Sequence, residues 1–556
     1  MLRAVYRPAS LLILAPAALG VAACDSQPRG LTVDEAVEAI SLETFQGHLN
    51  ALSADAMAGR GPGTPGYDSA AAYVAREAQA LGLEPGGTGG GYMQPIQFRR
   101  ATLVEGSASL AVDGEDLEAG EDFAVRPDAR AEEIDITAPL VFAGYGIHGP
   151  DQGWDDLANI DVAGKIVVLN PGTPDSFSSL ERTDLGSARD QDRQLQARGA
   201  LAAVRVSPGE AAGPEWRNAL DRARRPAVNY LPPSSEGAPG SDAAFPNVLM
   251  ARPVAQRWFA AQGRDLDAVQ ERLEAGESQS FDLGIEARLR ARFDHDPFES
   301  SNVVAVLPGT DPELADEYLV MTAHLDHLGT RTTFDGDSIF NGTLDNASGS
   351  AALLTLASVL TRMDRPERSM AFLWLTAEES GLLGSDYFAR YPSVPGRVVA
   401  NQNIDGVMAM ITASSDVLAF GYEHSNLAEA VDVAVARTGT PVSPDPTPEE
   451  NLFVRSDQYS FVRQGIPAIW VQGGRTGARE GEDPQTALDS WIQERYHQPD
   501  DDLDQPIDLE GVAVELRANL LVTHEILNEM GPIRWNQDGF LYRRVAMEEG
   551  GGGGGS

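Results

Sequence analysis

The second half of the chain alternates between two hydrophobic periods. Apolar runs of strand length occur at residues 302–307 (NVVAVL), 318–322 (YLVMT), 370–375 (MAFLWL), 398–400 (VVA) and 417–420 (VLAF), and again in IPAIWV. Between them lie SGSAALLTLASVL, SGLLGSDYFARY and NLAEAVDVAVARTG, whose apolar residues recur at helical spacing, and a closing helix near 509–530. Continuous apolar strands alternating with helices predict an α/β fold, a three-layer αβα arrangement around a mostly parallel sheet. The first half begins with helices. Ser41 and Thr44 offer a capping start, Leu42, Phe45, Leu49 and Leu52 share one face, and residues 67–81 read as a second helix. Strands follow in YMQPIQFRR and ATLVEGSASLAV. From residue 139 the text changes to short strands and one helix split by Gly and Pro. LVFAGYGIHG, GKIVVLNPG and ARGALAAVRVSP predict a separate β-rich module over 139–293, with the charge-rich EARLRARFDHD as its boundary. The catalytic-type α/β body is then expected in two pieces, 41–138 and 294–535.

Composition adds limits. The chain has 556 residues, 42% of them hydrophobic, enough for a full core. Its formal net charge of −41 argues against nucleic acid as a partner. The single cysteine, Cys24, excludes an intrachain disulfide and a cysteine-based zinc site. Arg3 and Arg7 precede a short apolar segment at 11–19, and Val21-Ala22-Ala23-Cys24 then resembles a bacterial lipobox. Residues 1–24 are thus expected to be a lipoprotein signal peptide, with Cys24 lipidated and residues 25–40 a tether. The only membrane contact expected is that anchor, on the periplasmic side of a bacterial cell envelope. The C-terminal 536–556, ending in a glycine run, reads as a tail with a linker.

The polar residues at the strand ends carry the chemistry. His324 and Asp326 follow the second strand; Asp345 lies in TLDNASG ahead of a helix; Glu378 and Glu379 follow LWLTA; Asp405 follows VVANQNI; His497 lies in YHQPDD. Open α/β sheets bind ligands at such carboxyl ends. Histidines with carboxylates that leave a position open are the ligand set of catalytic zinc. Asp345, Glu379 and Asp405 supply three negative charges against the four of two zinc ions, leaving one for an anion. Two such ions can share a water and lower its pKa, and a carboxylate that does not ligate both serves as its base. Asp326 is expected to orient His324.

AHLDHLG, TLDNASG, TAEESGLLGS, NIDG and YHQPDD, in that order, resemble the motif series of the co-catalytic di-zinc aminopeptidases, which include bacterial leucyl aminopeptidases, the yeast vacuolar aminopeptidase and glutamate carboxypeptidase. The resemblance covers about residues 41–530, and LVFAGYGI…GKIVVL…RGA resembles the protease-associated domain inserted in many members. It implies that His324, Asp345 and Asp405 bind one zinc, that Asp345 bridges, and that Glu379 and His497 complete the other site, with other divalent cations possible. It implies Glu378 as general base, a cis peptide after Asp345, and Tyr496 as a candidate for stabilising the oxyanion. Ser456 and Asp457 match a motif that shapes the substrate pocket, with loop capping the competing role for Asp457. Gly406 and Leu344 depart from the residue types common in the family without removing a ligand. His327, although beside the motif, is read as a non-ligand. The implied activity is a metallo-exopeptidase acting on peptides from the N-terminus. The alternatives are an acidic-dipeptide carboxypeptidase, with Arg455 as the carboxylate reader, a glutaminyl cyclase, and a receptor-like binding protein on a dead peptidase scaffold.

Overall fold

One 28-residue strand, Ser280–Leu307, runs through the molecule and belongs to both of its β-sheet regions. The computed structural model describes residues 29–207, 213–233, 244–331 and 336–551. Cys24 and the lipobox lie outside the described residues. The first part of the long strand alternates strictly: Ala287, Leu289, Ala291 and Phe293 are buried, and the arginines between them face outward. EARLRARFDHD, expected as the boundary of the β-rich module, is instead the middle of an amphipathic strand, whose period of two satisfies one apolar face and one charged face.

The last third of this strand enters the α/β sheet, whose order is Val417–Phe420, Ala468–Gly473, Arg397–Asn403, Glu317–His324, Ser369–Leu375, then Ser280–Leu307. The four strands from Ala468–Gly473 to Ser369–Leu375 are mutually parallel, and their two outer neighbours are antiparallel. Each strand splits its apolar residues between two cores. Leu319, Met321, Ala323, Met370, Phe372 and Trp374 face the helices Leu42–Leu52, Gly349–Leu360 and Leu509–Asn528. Val320, Ala371, Leu373 and Leu375 face Phe388 and Phe461 on the other side. This double burial is why the strands read as unbroken apolar runs.

The chain passes from Glu317–His324 to Ser369–Leu375 on one side, then returns to place Arg397–Asn403 on the other. That reversal opens a crevice at the carboxyl end of Glu317–His324, the topological position where parallel sheets hold ligands.

The second sheet region contains parallel Glu133–Ala143, Ile166–Leu169, Ala202–Val206 and Asn247–Met250, with antiparallel Phe123–Val125 at the edge. It packs its own core of Phe142, Val168, Trp216, Trp258 and Phe259. It differs from the expected module in two ways. It begins before residue 139, because Ser109–Val112 and Phe123–Val125 pair into it. Among the described residues it also carries five helices, from Ser179–Leu185 to Leu266–Glu274, where one was expected.

Two further segments differ from expectation. Val33–Glu38, inside the expected tether, is a helix with a complete capping box at Thr32 and Glu35, and Ala36 is buried in the main core. Phe540–Gly551, inside the expected tail, is also helical, with Leu541 buried. Arg544 on that helix reaches Asp184 of the second region at 2.9 Å and also pairs with Asp190. No helix among the described residues is long and apolar enough to cross a membrane.

Candidate metal centre

Five segments deliver one donor each to the crevice. His324 is the last residue of its strand, Glu379 follows Ser369–Leu375, and Asp405 follows Arg397–Asn403. Asp345 comes from the loop ahead of Gly349–Leu360, and His497 from the loop after Pro484–Glu494. His324 Nε2 lies 3.2 Å from both Asp345 Oδ1 and Asp405 Oδ1. His497 Nε2 lies 3.3 Å from Asp345 Oδ2 and 3.1 Å from Glu379 Oε2. Donors about 2.0–2.1 Å from a tetrahedral zinc stand about 3.3 Å apart. These separations suit zinc ligands, and Asp345 turns Oδ1 to His324 and Oδ2 to His497. Exposure rises from 1% at His324 to 35% at His497, so the centre opens to solvent on the His497 side.

Electrostatics explain why such a cluster needs cations. Burial opposes charge on His324, but Glu378 and Asp405 overcome it and hold its pKa well above the usual imidazole value. His497 also resists burial and is raised to about 10 by Asp345 and Glu379. Glu379 is held at about 2: burial and Asp345 push it up, and His327 and His497 outweigh them. Burial lifts Asp326 and Asp457 each to about 7 and raises Glu378 well above the carboxylate range. Bare, the centre must hold protons where bound cations would otherwise balance the carboxylates.

Supporting residues fix the donors. Asp326 supports His324 through its main-chain carbonyl, which lies 3.1 Å from Nδ1. Its carboxylate does something the sequence reading did not assign: it accepts from the backbone N–H of Glu378 at 3.1 Å and of Glu379 at 3.4 Å. Asp326 thus holds the turn that presents both glutamates. The Asp345–Asn346 peptide is cis. Asp501 accepts from the amides of Leu344 at 2.9 Å and Asp345 at 3.1 Å. The departures from the family pattern fit locally. Gly406 has φ +73 and packs against the end of Met408, and Leu344 is fully buried.

The remaining candidates divide. Tyr496 stacks on His497, with ring centroids 3.8 Å apart. Ser456 is buried, and its Oγ accepts from Asn403 Nδ2 at 2.9 Å, so it braces the strand end before Asp405 rather than facing a substrate. Asp457 begins the helix Gln458–Val462 but makes no capping bond, which removes the capping role. Its carboxylate is fully buried, and neither oxygen receives a well-formed hydrogen bond among the described residues. The fields of His324 and Asp405 act on Asp457. Arg455 is half exposed and pairs with Glu450 at 3.2 Å.

One residue of the centre escaped the sequence reading. Arg60 is fully buried, and its guanidinium donates to Leu52 O, Leu325 O, Asn341 O and Gly342 O at 2.5–2.8 Å. It ties an N-terminal helix to the loops behind His324 and ahead of Asp345. AGRGPG reads as a loop, and nothing local distinguishes a buried arginine there. His327, read from the sequence as a non-ligand, groups with Asp345 and Glu379, donor atoms within 4.8 Å of one another.

The model of peptidase family M28 matches residues 302–520. Leupeptin-inactivating enzyme 1 of Streptomyces exfoliatus is 36% identical over 88 residues, 16% of this chain and 17% of that protein. The match thus spans about a sixth of the length of that curated relative. Among solved structures, an aminopeptidase from Aneurinibacillus sp. strain AM-1 superposes with a TM-score of 0.49 and 20% identity, covering 90% of this chain and 97% of that one. A zinc aminopeptidase from Bacillus subtilis superposes with a TM-score of 0.42 and 20% identity, covering 88% and 96%. The span that matches the family M28 model contains His324, Asp345, Glu378, Glu379, Asp405 and His497.

Proposed function

We propose that this protein is a zinc-dependent aminopeptidase that removes N-terminal residues from peptides at a pair of metal ions. The observation that carries the reading is the set of donor separations, 3.1–3.3 Å, among His324, Asp345, Glu379, Asp405 and His497, five side chains from five segments. His324, Asp345 and Asp405 would hold one ion, and Asp345, Glu379 and His497 the other. When bound, the ions supply Lewis-acid polarisation of the scissile carbonyl and lower the pKa of water.

The chain's own residues do the rest. Glu378 would accept a proton from the attacking water and deliver it to the departing amine. Asp326 fixes Glu378 by its main-chain bond. The acidic Glu378 and Asp405 suit a substrate's free α-ammonium, which is why an N-terminus is the proposed target. Tyr496, half exposed and stacked on His497, would stabilise the oxyanion. Lipidation of Cys24 would tether the enzyme to the cell envelope, where peptides are its partners and nucleic acid is not. The second sheet region would be the protease-associated insert.

The test is a panel of aminoacyl chromogenic amides, each paired with its N-acetylated form, assayed with zinc and with chelator. Chelator-sensitive cleavage of the free amines alone is expected. Equal cleavage of the blocked substrates would overturn the exopeptidase reading.

A further inference from the structure

Glu379 divides its two oxygens between different neighbours. Oε2 faces His497 at 3.1 Å, inside the donor group of the second ion. Oε1 points the other way, to His327 Nδ1 at 2.7 Å. That second separation is shorter than the 3.1–3.3 Å between donors elsewhere in the centre. It is the spacing of a charge-assisted N–H···O contact rather than of two ligands around one cation. The two atoms approach without the alignment of a well-formed hydrogen bond, and Glu379 Oε1 has no other partner among the described residues.

His327 is built into this position. Its side chain is fully buried, and its backbone N–H reaches Arg60 O at 3.3 Å. Its ring lies edge-on to His497, with centroids 5.7 Å apart. Gly342, at φ +57, makes room for it: a Cβ there would come within 2.5 Å of the ring and 2.2 Å of Asp345 O. A buried imidazole with an idle nitrogen costs stability that a phenyl ring would not. The carboxylate beside it is where that cost is offset.

We propose that His327 is a positioning residue of the second metal position, holding Glu379 Oε1 so that Oε2 is presented beside His497 and Asp345. Outer partners of this kind set ligand orientation, and their loss typically lowers metal affinity about 10- to 100-fold. The inference rests on the reading that Asp345, Glu379 and His497 hold an ion, and it reaches a residue outside that ligand set.

Three forms of the full chain test it: wild type, His327→Phe, which keeps the ring volume without a donor, and His327→Asn, which keeps an N–H donor near Nδ1. Zinc affinities are measured by competition with a chromophoric chelator, and zinc X-ray absorption reports imidazole coordination. Thermal melting of the zinc-free forms checks folding. The expected result is a second zinc bound about 10- to 100-fold more weakly in His327→Phe, a first zinc unchanged, recovery in His327→Asn and constant imidazole coordination. Unchanged second-site affinity in His327→Phe overturns the inference alone. Fewer imidazoles around zinc in either variant overturns it by making His327 a ligand. A wild type that binds no second zinc overturns the metal reading beneath it, and this role with it.

Discussion

Glu378 and Glu379 are adjacent, yet their substitutions by glutamine are expected to fail in opposite ways. Asp326 holds both through their backbone N–H groups, at 3.1 and 3.4 Å, so either glutamine leaves that turn in place. Glu379 Oε2 is one of the donors, 3.1 Å from His497 Nε2. Glu379→Gln replaces a charged ligand and lowers zinc affinity at the second position. Glu378 stands outside both donor groups. Glu378→Gln therefore keeps both zinc affinities and loses only proton transfer. A positioned general base is worth about 10²–10⁴ in rate, or about 3–5 kcal/mol of barrier. The assay is kcat on an aminoacyl amide at saturating zinc, alongside zinc titration of each variant. A Glu378→Gln enzyme within tenfold of wild type, or one that loses zinc as Glu379→Gln does, refutes the division of roles.

Other expectations can be checked alongside. Glu515 is fully buried, accepts from the amides of Ala409 and Gly473, and is raised by burial from 4.5 to about 7. Between those values the folded state binds the extra proton, so stability falls as pH rises, by about 3 kcal/mol across the window; parallel urea-denaturation curves against pH for wild type and Glu515→Gln would refute this. Removing metal leaves the clustered carboxylates without their cations, and zinc at about 1,000 times its Kd should restore about 4 kcal/mol, read as a higher melting temperature on adding zinc to the stripped protein. Arg60→Met strands four carbonyl oxygens behind the donor loops and should weaken zinc binding, measured by the same chelator competition. Asp386 accepts from Tyr230 at 2.6 Å and pairs with Arg189, Arg390 and Arg463. Asp386→Ala should loosen the junction between the two sheet regions and speed limited proteolysis there. Its cost falls below the roughly 3–5 kcal/mol of a fully buried pair, because Arg189 and Arg390 stay 45% and 37% exposed.

Local pattern and residue order carried much of this protein. The unbroken apolar runs at 318–322 and 370–375 are strands because both faces of the sheet are covered, and a residue buried on either face must be apolar. The ends of those runs and of the run at 398–400 named His324, Glu378, Glu379 and Asp405 as neighbours in a crevice, since parallel strands share one carboxyl edge. Other features depended on contacts between distant segments, which no local period encodes. EARLRARFDHD has the alternation of a strand, but only the partner strands Met93–Leu103 and Glu133–Ala143 reveal that it continues into the next sheet instead of ending a module. Asp457 stands at a helix start like a cap, and the buried space beside His324 and Asp405 takes its side chain elsewhere. Arg60 became part of the centre only because carbonyls from residues 52, 325, 341 and 342 converge on one guanidinium. The sequence alone determined which residue types stand at strand ends; tertiary structure decided which backbone and side-chain partners each meets, because those partners lie tens to hundreds of residues away and are brought together only by packing.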